Sequence, residues 1–429
     1  MLFDRKQYIQ DPQAGNLTMI IKNVHIENNP EKMDVRVTDG SFETIAKELT
    51  PKEGEEAIDY NGKLLLPPFI ESHLHLDTCL TAGEPCWNKS GTLFEGIELW
   101  SKRKESLSKE DVKQRVNKVI RMQAKHGIQY VRTHVDTTDP DLTAMEAILE
   151  LREEVKDFID IQVVAFPQEG IMSYPDGGKL LERAVEMGAD AVGAIPHFEF
   201  TREYSVESLN FALKLAEKYK KLVDVHCDEI DDEASRGLET LAARAYEMGL
   251  KDRVTASHTT AMHSYNNAYT YKLFRLLRMS EINFICNPLV NTHLQGRTDS
   301  YPKRRGITRV KELTAEGCNV SFGHDDIFDP WYPMGSGNMM DVVHMGLHVC
   351  QMMGYEDIMN SYLFITKNAA KTLCLGDSYG VGEGKPASFI ILDAENFHHA
   401  LNNRAPVLCS YKAGKLIASA VPAEHSVFF

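Results

Sequence analysis

Short apolar runs alternate with longer, helix-patterned segments along most of the chain. Eight runs rich in β-branched and other apolar residues recur, and after the first their starts lie about 30 residues apart, the length of one strand–helix unit. The runs begin at Leu64, Gln129, Asp160, Ala189, Leu222, Val254, Ile282 and Asn319. Between them, residues 205–221 place apolar side chains on one helical face, and residues 231–250 begin with acidic residues, as helices favour. This alternation predicts a (β/α)8 TIM barrel, with an open doubly wound sheet as the alternative.

The two ends of the chain have a different pattern. Residues 18–50 contain two strand-like runs with alternating apolar positions, and residues 387–419 contain two more. Strands at both ends predict one small β-sandwich domain that is formed by both chain termini. The predicted domains are therefore residues 1–63 and 377–429 for the two parts of the sandwich, and residues 64–376 for the barrel.

Composition and charge limit the partners of the chain. Its 429 residues are 43% hydrophobic and 25% charged, and the formal net charge of −15 opposes binding to nucleic acids and to anionic membrane surfaces. No uncharged apolar run reaches the ~20 residues of a spanning helix, and the N-terminus lacks the apolar stretch of a secretory signal. The eight cysteines form no C-x-x-C pair, as expected of a reduced protein. We therefore expect a cytoplasmic protein that binds neither nucleic acid nor membrane.

The first apolar run ends in "HLHLD", where one residue separates His73 from His75. Alternate residues of a strand share a face, so both imidazoles would point the same way. They would also lie at the strand end where barrel enzymes keep their active sites. Two imidazoles on one strand suit a divalent metal ion, although H-x-H alone is equally compatible with a hydrogen-bonded core pair.

Other strand ends carry related chemistry. Histidines or acidic residues follow three later runs: His226 and Glu229, His258, and Asp325 and Asp326. A barrel would bring these ends to one ring although they are distant in sequence. Three histidines and one carboxylate would give an N3O set that suits Zn(II) or Fe(II) and leaves one position for water. Together the strand ends therefore predict a metal site.

Such a site predicts hydrolytic chemistry. A bound divalent ion lowers the pKa of water from 15.7 to about 7, which gives hydroxide at neutral pH. Glu229, just beyond His226, is the candidate proton carrier, and a helix N-cap or surface carboxylate is the alternative. Gln168 ends the third strand and offers an amide that suits an O=C–N–H ring edge, or a loop hydrogen bond. Trp331 follows the eighth strand, where it would close over a flat ring or simply pack.

Longer phrases carry a resemblance to a known family. The chain is similar to bacterial cytosine deaminases of the amidohydrolase superfamily, closely over residues 64–376, in the segments "HLHLD", "FPQEG", "PHFEFTREY", "HCDEIDD", "ASHTTAMHSYN", "NPLVN", "YPKRRGITR" and "FGHDDIFDPWYP". The resemblance implies a metal-bearing (β/α)8 barrel with a small β-sandwich. It also implies a homo-oligomer that acts on a free nucleobase, converting cytosine to uracil and ammonia by hydrolysis in pyrimidine salvage.

The resemblance further implies one divalent ion per subunit, Fe(II) or Zn(II). Its ligands would be His73, His75, His226 and Asp325. His258 would help to activate and orient the hydroxide, and Asp325 would double as a proton acceptor.

The remaining roles also follow from the resemblance. Glu229 would carry a proton from the attacking water to ring nitrogen N3. Gln168 would hold the O2/N1 edge of the ring, and Asp326 and Trp331 would shape the pocket around the amino group.

Several alternatives are open at this point. A deaminase of another amino-substituted ring, such as isoguanine or a triazine, is compatible with the same residues. A binuclear amidohydrolase typically uses a lysine at the end of strand four, where "AVGAIPHFEF" has none. The unrelated zinc deaminases carry P-C-x-x-C, which the chain lacks. A spare glutamate beside an open metal position argues against a purely structural metal site. His134 and His197 are expected to pack in the core or to support the residues at the ring of strand ends.

Overall fold

The structure is a computed structural model that describes residues 18–422 and 426–428. Residues 1–17, which belong to the predicted first domain and on which the expectation of no secretory signal rests, lie outside the described residues. In chain order the strands are β1 (Met19–Ile26), β2 (Lys32–Thr38), β3 (Ser41–Ala46), β4 (Glu56–Asp59), β5 (Leu64–Leu66), β6 (Phe69–Leu74), β7 (Ile128–Asp136), β8 (Asp160–Phe166), β9 (Ala191–Ala194), β10 (Leu222–Cys227), β11 (Val254–His258), β12 (Asn283–Cys286), β13 (Asn319–Phe322), β14 (Phe389–Leu392), β15 (Val407–Lys412) and β16 (Lys415–Ser419).

The strands β6 to β13 form a near-closed parallel barrel. Each strand pairs in parallel with the next one along the chain. The first and last strands meet through a parallel bridge between Leu74 and Asp325. The predicted (β/α)8 barrel is confirmed, and each of the eight predicted runs contains one barrel strand.

Both chain ends build a second, mixed sheet. Its strand order is β16-β15-β14-β5-β1-β2-β3, with β4 beside β1. Apolar side chains from both ends, including Val24, Val35, Phe389 and Tyr411, pack in a core separate from that of the barrel. The predicted small β unit from both termini is confirmed, whereas the bounds 1–63, 64–376 and 377–429 stay a prediction.

Helices follow the barrel strands and cover them. They are α1 (Leu93–Lys104), α2 (Lys109–Ala124), α3 (Thr143–Val155), α4 (Gly177–Met187), α5 (Arg202–Tyr219), α6 (Gly237–Glu247), α7 (Asn267–Ser280), α8 (Pro288–Leu294), α9 (Val310–Ala315), α10 (Met339–Val349), α11 (Tyr355–Asn360), α12 (Lys367–Thr372) and α13 (Phe397–Asn403). Short 3₁₀ turns occupy Pro196–Phe198, Lys251–Arg253, Thr260–His263, Ser361–Ile365 and Gly376–Ser378. Within the described residues, none of these helices has the length and apolar character that a membrane span requires.

Two helices show how local sequence sets these bounds. Thr201 caps α5, because its side chain accepts the backbone N–H of Tyr204 at 3.2 Å. Helix α6 begins at Gly237, later than the predicted start at residue 231. The carboxylate of Asp228 accepts the N–H groups of Gly237 and Leu238 at 2.9 and 2.8 Å, so the cap comes from the end of β10 and the acidic stretch between them is loop.

The first predicted run divides between the two sheets. Leu64–Leu66 is β5, which pairs with β1 and β14 in the terminal sheet. Two prolines follow, and the barrel strand β6 begins only at Phe69. Proline has no N–H to donate to a strand ladder, so the pair ends one strand before the other begins. The strand that carries His73 therefore continues directly from the terminal sheet.

Candidate active site

The C-terminal ends of β6, β10 and β13 bring three histidines and one aspartate together. One ligand atom from each of His73, His75, His226 and Asp325 lies within 4.8 Å of the others, and all four side chains are buried. Nε2 of His75 lies 3.0 Å from Nε2 of His226. Oδ1 of Asp325 lies 3.3 Å from Nε2 of His73 and 3.5 Å from Nε2 of His75. The structure thus collects the four predicted metal ligands in one histidine–aspartate cluster.

Asp325 reaches this cluster because the chain leaves strand geometry just after β13. Its φ is 73°, in the left-handed region that residues with a Cβ rarely adopt. Two backbone hydrogen bonds hold it there: its N–H donates to the carbonyl of His73 at 2.8 Å, and its own carbonyl accepts from the N–H of His75 at 3.0 Å. The chain thus fixes the Asp325 backbone directly beside both histidines.

A second left-handed residue sits at the end of β11. His258 has φ 68°, which breaks the alternation of side chains along the strand. As a result two consecutive residues face the cluster. The Ser257 hydroxyl lies 3.0 Å from Nδ1 of His73, and the His258 ring centroid lies 4.8 Å from that of His73 and 4.7 Å from that of His226.

The histidine–aspartate cluster fits a divalent ion. Ligand atoms about 2.0–2.1 Å from a tetrahedral ion lie about 3.3 Å from one another, and the three separations given above are close to that value. Nε2 of His73 is buried and has no hydrogen-bond partner among the described residues, an arrangement that a cation would satisfy. Burial, together with neighbouring histidines, lowers the pKa of all three imidazoles. Neutral imidazole is the form that binds metals.

Buried carboxyl groups surround the cluster. Burial raises the pKa of Glu71 to about 8, against hydrogen bonds from the N–H groups of His324 and His73. Burial also raises the pKa of Asp325, and the nearby Glu229 carboxyl raises it further. Burial raises the pKa of Asp326 as well, and the nearby Asp329 carboxyl raises it further. A divalent cation would compensate part of this concentrated negative charge.

A deeper group of His73, His134 and Asp224 also has the spacing of metal ligands. Its carboxylate already has a cationic partner, because Nη1 of Arg132 donates to Oδ2 of Asp224 at 2.8 Å. Both members of this ion pair are buried, so removing the arginine from the carboxylate would be costly. The geometry therefore favours a single ion, held by the histidine–aspartate cluster.

Glu229 and His258 lie side by side next to the cluster. Oε1 of Glu229 is 3.2 Å from Nδ1 of His258, which is itself 3.7 Å from Oδ2 of Asp325. Nδ2 of Asn291 donates to the same Glu229 oxygen at 3.0 Å. Burial raises the pKa of Glu229, and the hydrogen bond from Asn291 opposes that rise. A cavity of about 370 Å³ opens beside Glu229 and is also lined by Leu294 and Arg304.

The three predicted substrate residues follow β8 and β13 in the chain. Gln168 follows β8, whose last residue Phe166 stacks on His226 with ring centroids 3.9 Å apart. The Trp331 ring centroid lies 6.5 Å from that of His75, and its Nε1 donates to the carbonyl of Leu93 at 3.1 Å. Asp326 is buried next to the proposed ligand Asp325. Their contact with a substrate stays a prediction.

Sequence reasoning assigned no role to several residues that complete the site. Asn287 directly follows β12 and Asn291 lies in helix α8, and both contact His258, at 3.4 and 3.0 Å. Ser257 and Asp224 lie beneath His73. The phrase "NPLVN" already marked the two asparagines as part of the resemblance. Ser257 likewise lies in the phrase "ASHTTAMHSYN", whereas Asp224 lies in none of the quoted phrases.

The barrel, the terminal sheet and the histidine–aspartate cluster define the class of protein. The chain belongs to the amidohydrolase family, whose family model matches residues 56–418. The predicted resemblance to the amidohydrolase superfamily is thereby confirmed.

Individual proteins are similar to the chain over nearly its whole length. The chain is similar to 5-methylcytosine deaminase from Klebsiella pneumoniae, in a structure liganded with 5-fluorocytosine, with 53% identity and a TM-score of 0.93 over 96% of this chain and 99% of that one. A second structure of that protein, liganded with phosphonocytosine, matches with 52% identity and the same TM-score over 95% of this chain and 100% of that one. N-isopropylammelide isopropyl amidohydrolase from Pseudomonas sp. (strain ADP) is 30% identical, over 94% of this chain and 98% of that protein.

Proposed function

We propose that the protein is a metal-dependent deaminase that hydrolyses the exocyclic C4–N bond of cytosine, releasing uracil and ammonia. The observation that carries the proposal is the histidine–aspartate cluster with Glu229 and His258 beside it in one buried site. The 53% identity to a deaminase whose structure holds a cytosine analogue supports the choice of ring.

Four residues would hold the ion: His73, His75, His226 and Asp325, with Fe(II) or Zn(II) as the candidates. When bound, the ion would lower the pKa of water and so supply hydroxide at neutral pH. His258 lies within 4 Å of both Glu229 and Asp325, where it can orient the attacking oxygen.

The chain's own acids would move the protons. Glu229 takes a proton from the attacking water and gives it to N3 as oxygen bonds to C4. A raised pKa suits this exchange, because the carboxyl can both accept and release a proton near neutral pH. Asp325 then takes the remaining hydroxyl proton and passes it to the amino group. The C4–N bond breaks, ammonia leaves, and C4 becomes the second carbonyl of uracil.

The remaining predicted residues would hold the ring. Gln168 would pair with the O2/N1 edge through its amide, which has one acceptor and two donors. Trp331 would close the pocket near His75, and Asp326 would face the amino group. These contacts would place C4 against the hydroxide and N3 against Glu229.

A second candidate substrate is 5-methylcytosine, which the name of the Klebsiella pneumoniae relative specifies for that protein. The sequence motifs alone do not separate the two rings, which differ by one methyl group on C5. Isoguanine or a triazine stays an alternative, and the 30% identity to an N-isopropylammelide amidohydrolase supports comparing a triazine. We further propose that the protein is a cytoplasmic homo-oligomer and that it acts in pyrimidine salvage.

Ammonia release tests the proposal. The protein is loaded separately with Fe(II) and with Zn(II), and rates are measured on cytosine, 5-methylcytosine, isoguanine and an aminotriazine. We expect release from cytosine, and a rate on 5-methylcytosine that ranks the two candidates. No release from either pyrimidine would refute the proposed function.

The role of Glu229 has its own test. We expect Glu229→Gln to lower kcat about 10²- to 10⁴-fold while it keeps its metal content, because the amide cannot carry the proton. Glu239→Gln, whose carboxylate accepts from the hydroxyl of Tyr269 in α7, is the matched control and should retain activity. Undiminished activity of Glu229→Gln would remove Glu229 from this role.

A further inference from the structure

A chain of hydrogen bonds runs beneath the histidine–aspartate cluster, from Arg132 to His73. Nη1 of Arg132 donates to Oδ2 of Asp224 at 2.8 Å. The Ser257 hydroxyl donates to the other oxygen, Oδ1 of Asp224, at 2.5 Å. The same hydroxyl oxygen lies 3.0 Å from Nδ1 of His73. All four side chains are at most 1% exposed, so water does not compete for these contacts.

The protons available along this series of hydrogen bonds determine which ring nitrogen of His73 is protonated. A serine hydroxyl has a single proton, and Ser257 gives it to the Asp224 carboxylate. Asp224 is held as an acceptor by the Arg132 guanidinium, which donates further to Gln162 and to the carbonyl of Thr372. The oxygen of Ser257 therefore meets Nδ1 of His73 with a lone pair. A stable contact requires that Nδ1 is the N–H donor.

The other nitrogen of the same ring then has a free lone pair. Nε2 of His73 lies 3.3 Å from Oδ1 of Asp325, within the cluster, and residues 18–422 and 426–428 offer it no hydrogen-bond partner. In a neutral imidazole only one nitrogen is protonated, so a proton on Nδ1 leaves Nε2 able to coordinate an ion.

We propose that Ser257 is a positioning residue that fixes His73 as its Nδ1–H tautomer and so presents Nε2 to the divalent ion. The inference rests on the metal site of the proposed function. Histidine ligands generally donate their other N–H to a partner that fixes the ring, and loss of that partner typically weakens metal binding 10- to 100-fold.

The backbone explains why this partner is separate from the proton-transfer residues. Ser257 pairs with His226 in the register of β11 and β10, and it points toward His73. The left-handed turn at His258 sends the next side chain toward Glu229 instead. A substitution at Ser257 therefore acts on the ion site and leaves the contact between Glu229 and His258 intact.

Zinc affinity, measured by competition with a chromogenic chelator, tests the proposal without any substrate. We expect Ser257→Ala to bind zinc 10- to 100-fold more weakly than the wild type. Ser257→Thr keeps the hydroxyl and should bind within a few-fold of the wild type. Ser321→Ala is the matched control, because Ser321 is also buried on a barrel strand, β13, where its hydroxyl contacts the Phe284 carbonyl and Thr372. If Ser257→Ala does not fold, Ser257→Gly replaces it with the same expected loss.

Nitrogen-15 NMR of histidine-labelled, metal-free protein reads the tautomer directly. We expect the wild-type His73 signal, assigned by its loss in His73→Gln, to show a protonated Nδ1, and Ser257→Ala to show a mixture of tautomers. Unchanged zinc affinity in Ser257→Ala, or an equal loss in Ser257→Thr, would overturn the inference alone. Failure of the wild type to bind zinc or iron would overturn the metal site of the proposed function as well.

Discussion

Replacing Asn291 tests how the site controls the proton carrier. Its Nδ2 donates to Oε1 of Glu229 at 3.0 Å and lies 3.0 Å from Nδ1 of His258, and the residue is fully buried. Asn291→Ala removes a hydrogen bond to an ionisable group, and such bonds contribute about 1.5–3 kcal/mol. At about 1.4 kcal/mol for each factor of ten, kcat should fall roughly 10- to 150-fold if the contact persists in the transition state. We expect a smaller change in KM, because no role in binding the ring is assigned to Asn291.

The pH dependence of kcat should also change in Asn291→Ala. The hydrogen bond from Asn291 lowers the pKa of Glu229, so its loss should raise that pKa further above the ordinary glutamate value. Because the ionised carboxylate must accept the first proton, the acidic limb of the kcat profile should move to higher pH in Asn291→Ala.

The assay is ammonia release on the metal-loaded protein across a range of pH. The matched control is Asn283→Ala at the start of β12, where the side chain donates to the carbonyl of Asp252 at 2.7 Å. That variant should lose stability and keep both kcat and the pH profile. A kcat for Asn291→Ala within twofold of the wild type, with an unmoved acidic limb, would refute the reasoning.

Two further predictions concern stability. Arg132→Met should lower the free energy of unfolding by about 3–5 kcal/mol, because it leaves the buried Asp224 carboxylate unpaired. Denaturant unfolding checks this loss. Arg132→Met combined with Asp224→Leu should recover most of it, and a single variant within 1 kcal/mol of the wild type would contradict the argument. Removing the ion with a chelator should abolish activity and lower the thermal midpoint, since an ion at 100 times its Kd stabilises the folded state by about 2.7 kcal/mol. Equal midpoints with and without zinc would exclude an ion bound to the folded state at that strength.

The barrel could be predicted because its strands are buried on both faces. Parallel strands covered by helices become continuous apolar runs, and eight of them at regular spacing leave few alternative folds. The boundaries were less predictable. The run from Leu64 looked like one strand, but Pro67 and Pro68 divide it between two sheets. The start of α6 was misplaced for a different reason, since its cap comes from Asp228 at the preceding strand end.

The proposed metal ligands could be selected because histidine and aspartate at strand ends are chemically conspicuous. Their supporting residues could not be found in the same way. Ser257 directly precedes His258, and strand alternation would place these two side chains on opposite faces. The left-handed φ of His258 breaks this alternation of side chains. A non-glycine residue gives no sequence signal for such a conformation. Asp224 depends on a partner 92 residues away, Arg132, which only the closed barrel brings within 2.8 Å.

The two-proline junction between β5 and β6 ties the strand that carries His73 and His75 to the terminal sheet, whose strands supply none of the groups named in the proposed chemistry. The hydroxyl of Tyr379 donates to the Pro68 carbonyl at 2.7 Å, and Gln129 at the start of β7 donates to the carbonyl of Tyr411 at 2.9 Å. Tyr379 thus braces the base of the strand whose tip carries His73 and His75, and Tyr411 braces the neighbouring strand β7. A shortened chain that ended after α12 would keep every group named in the chemistry and lose the anchor that aims two of them.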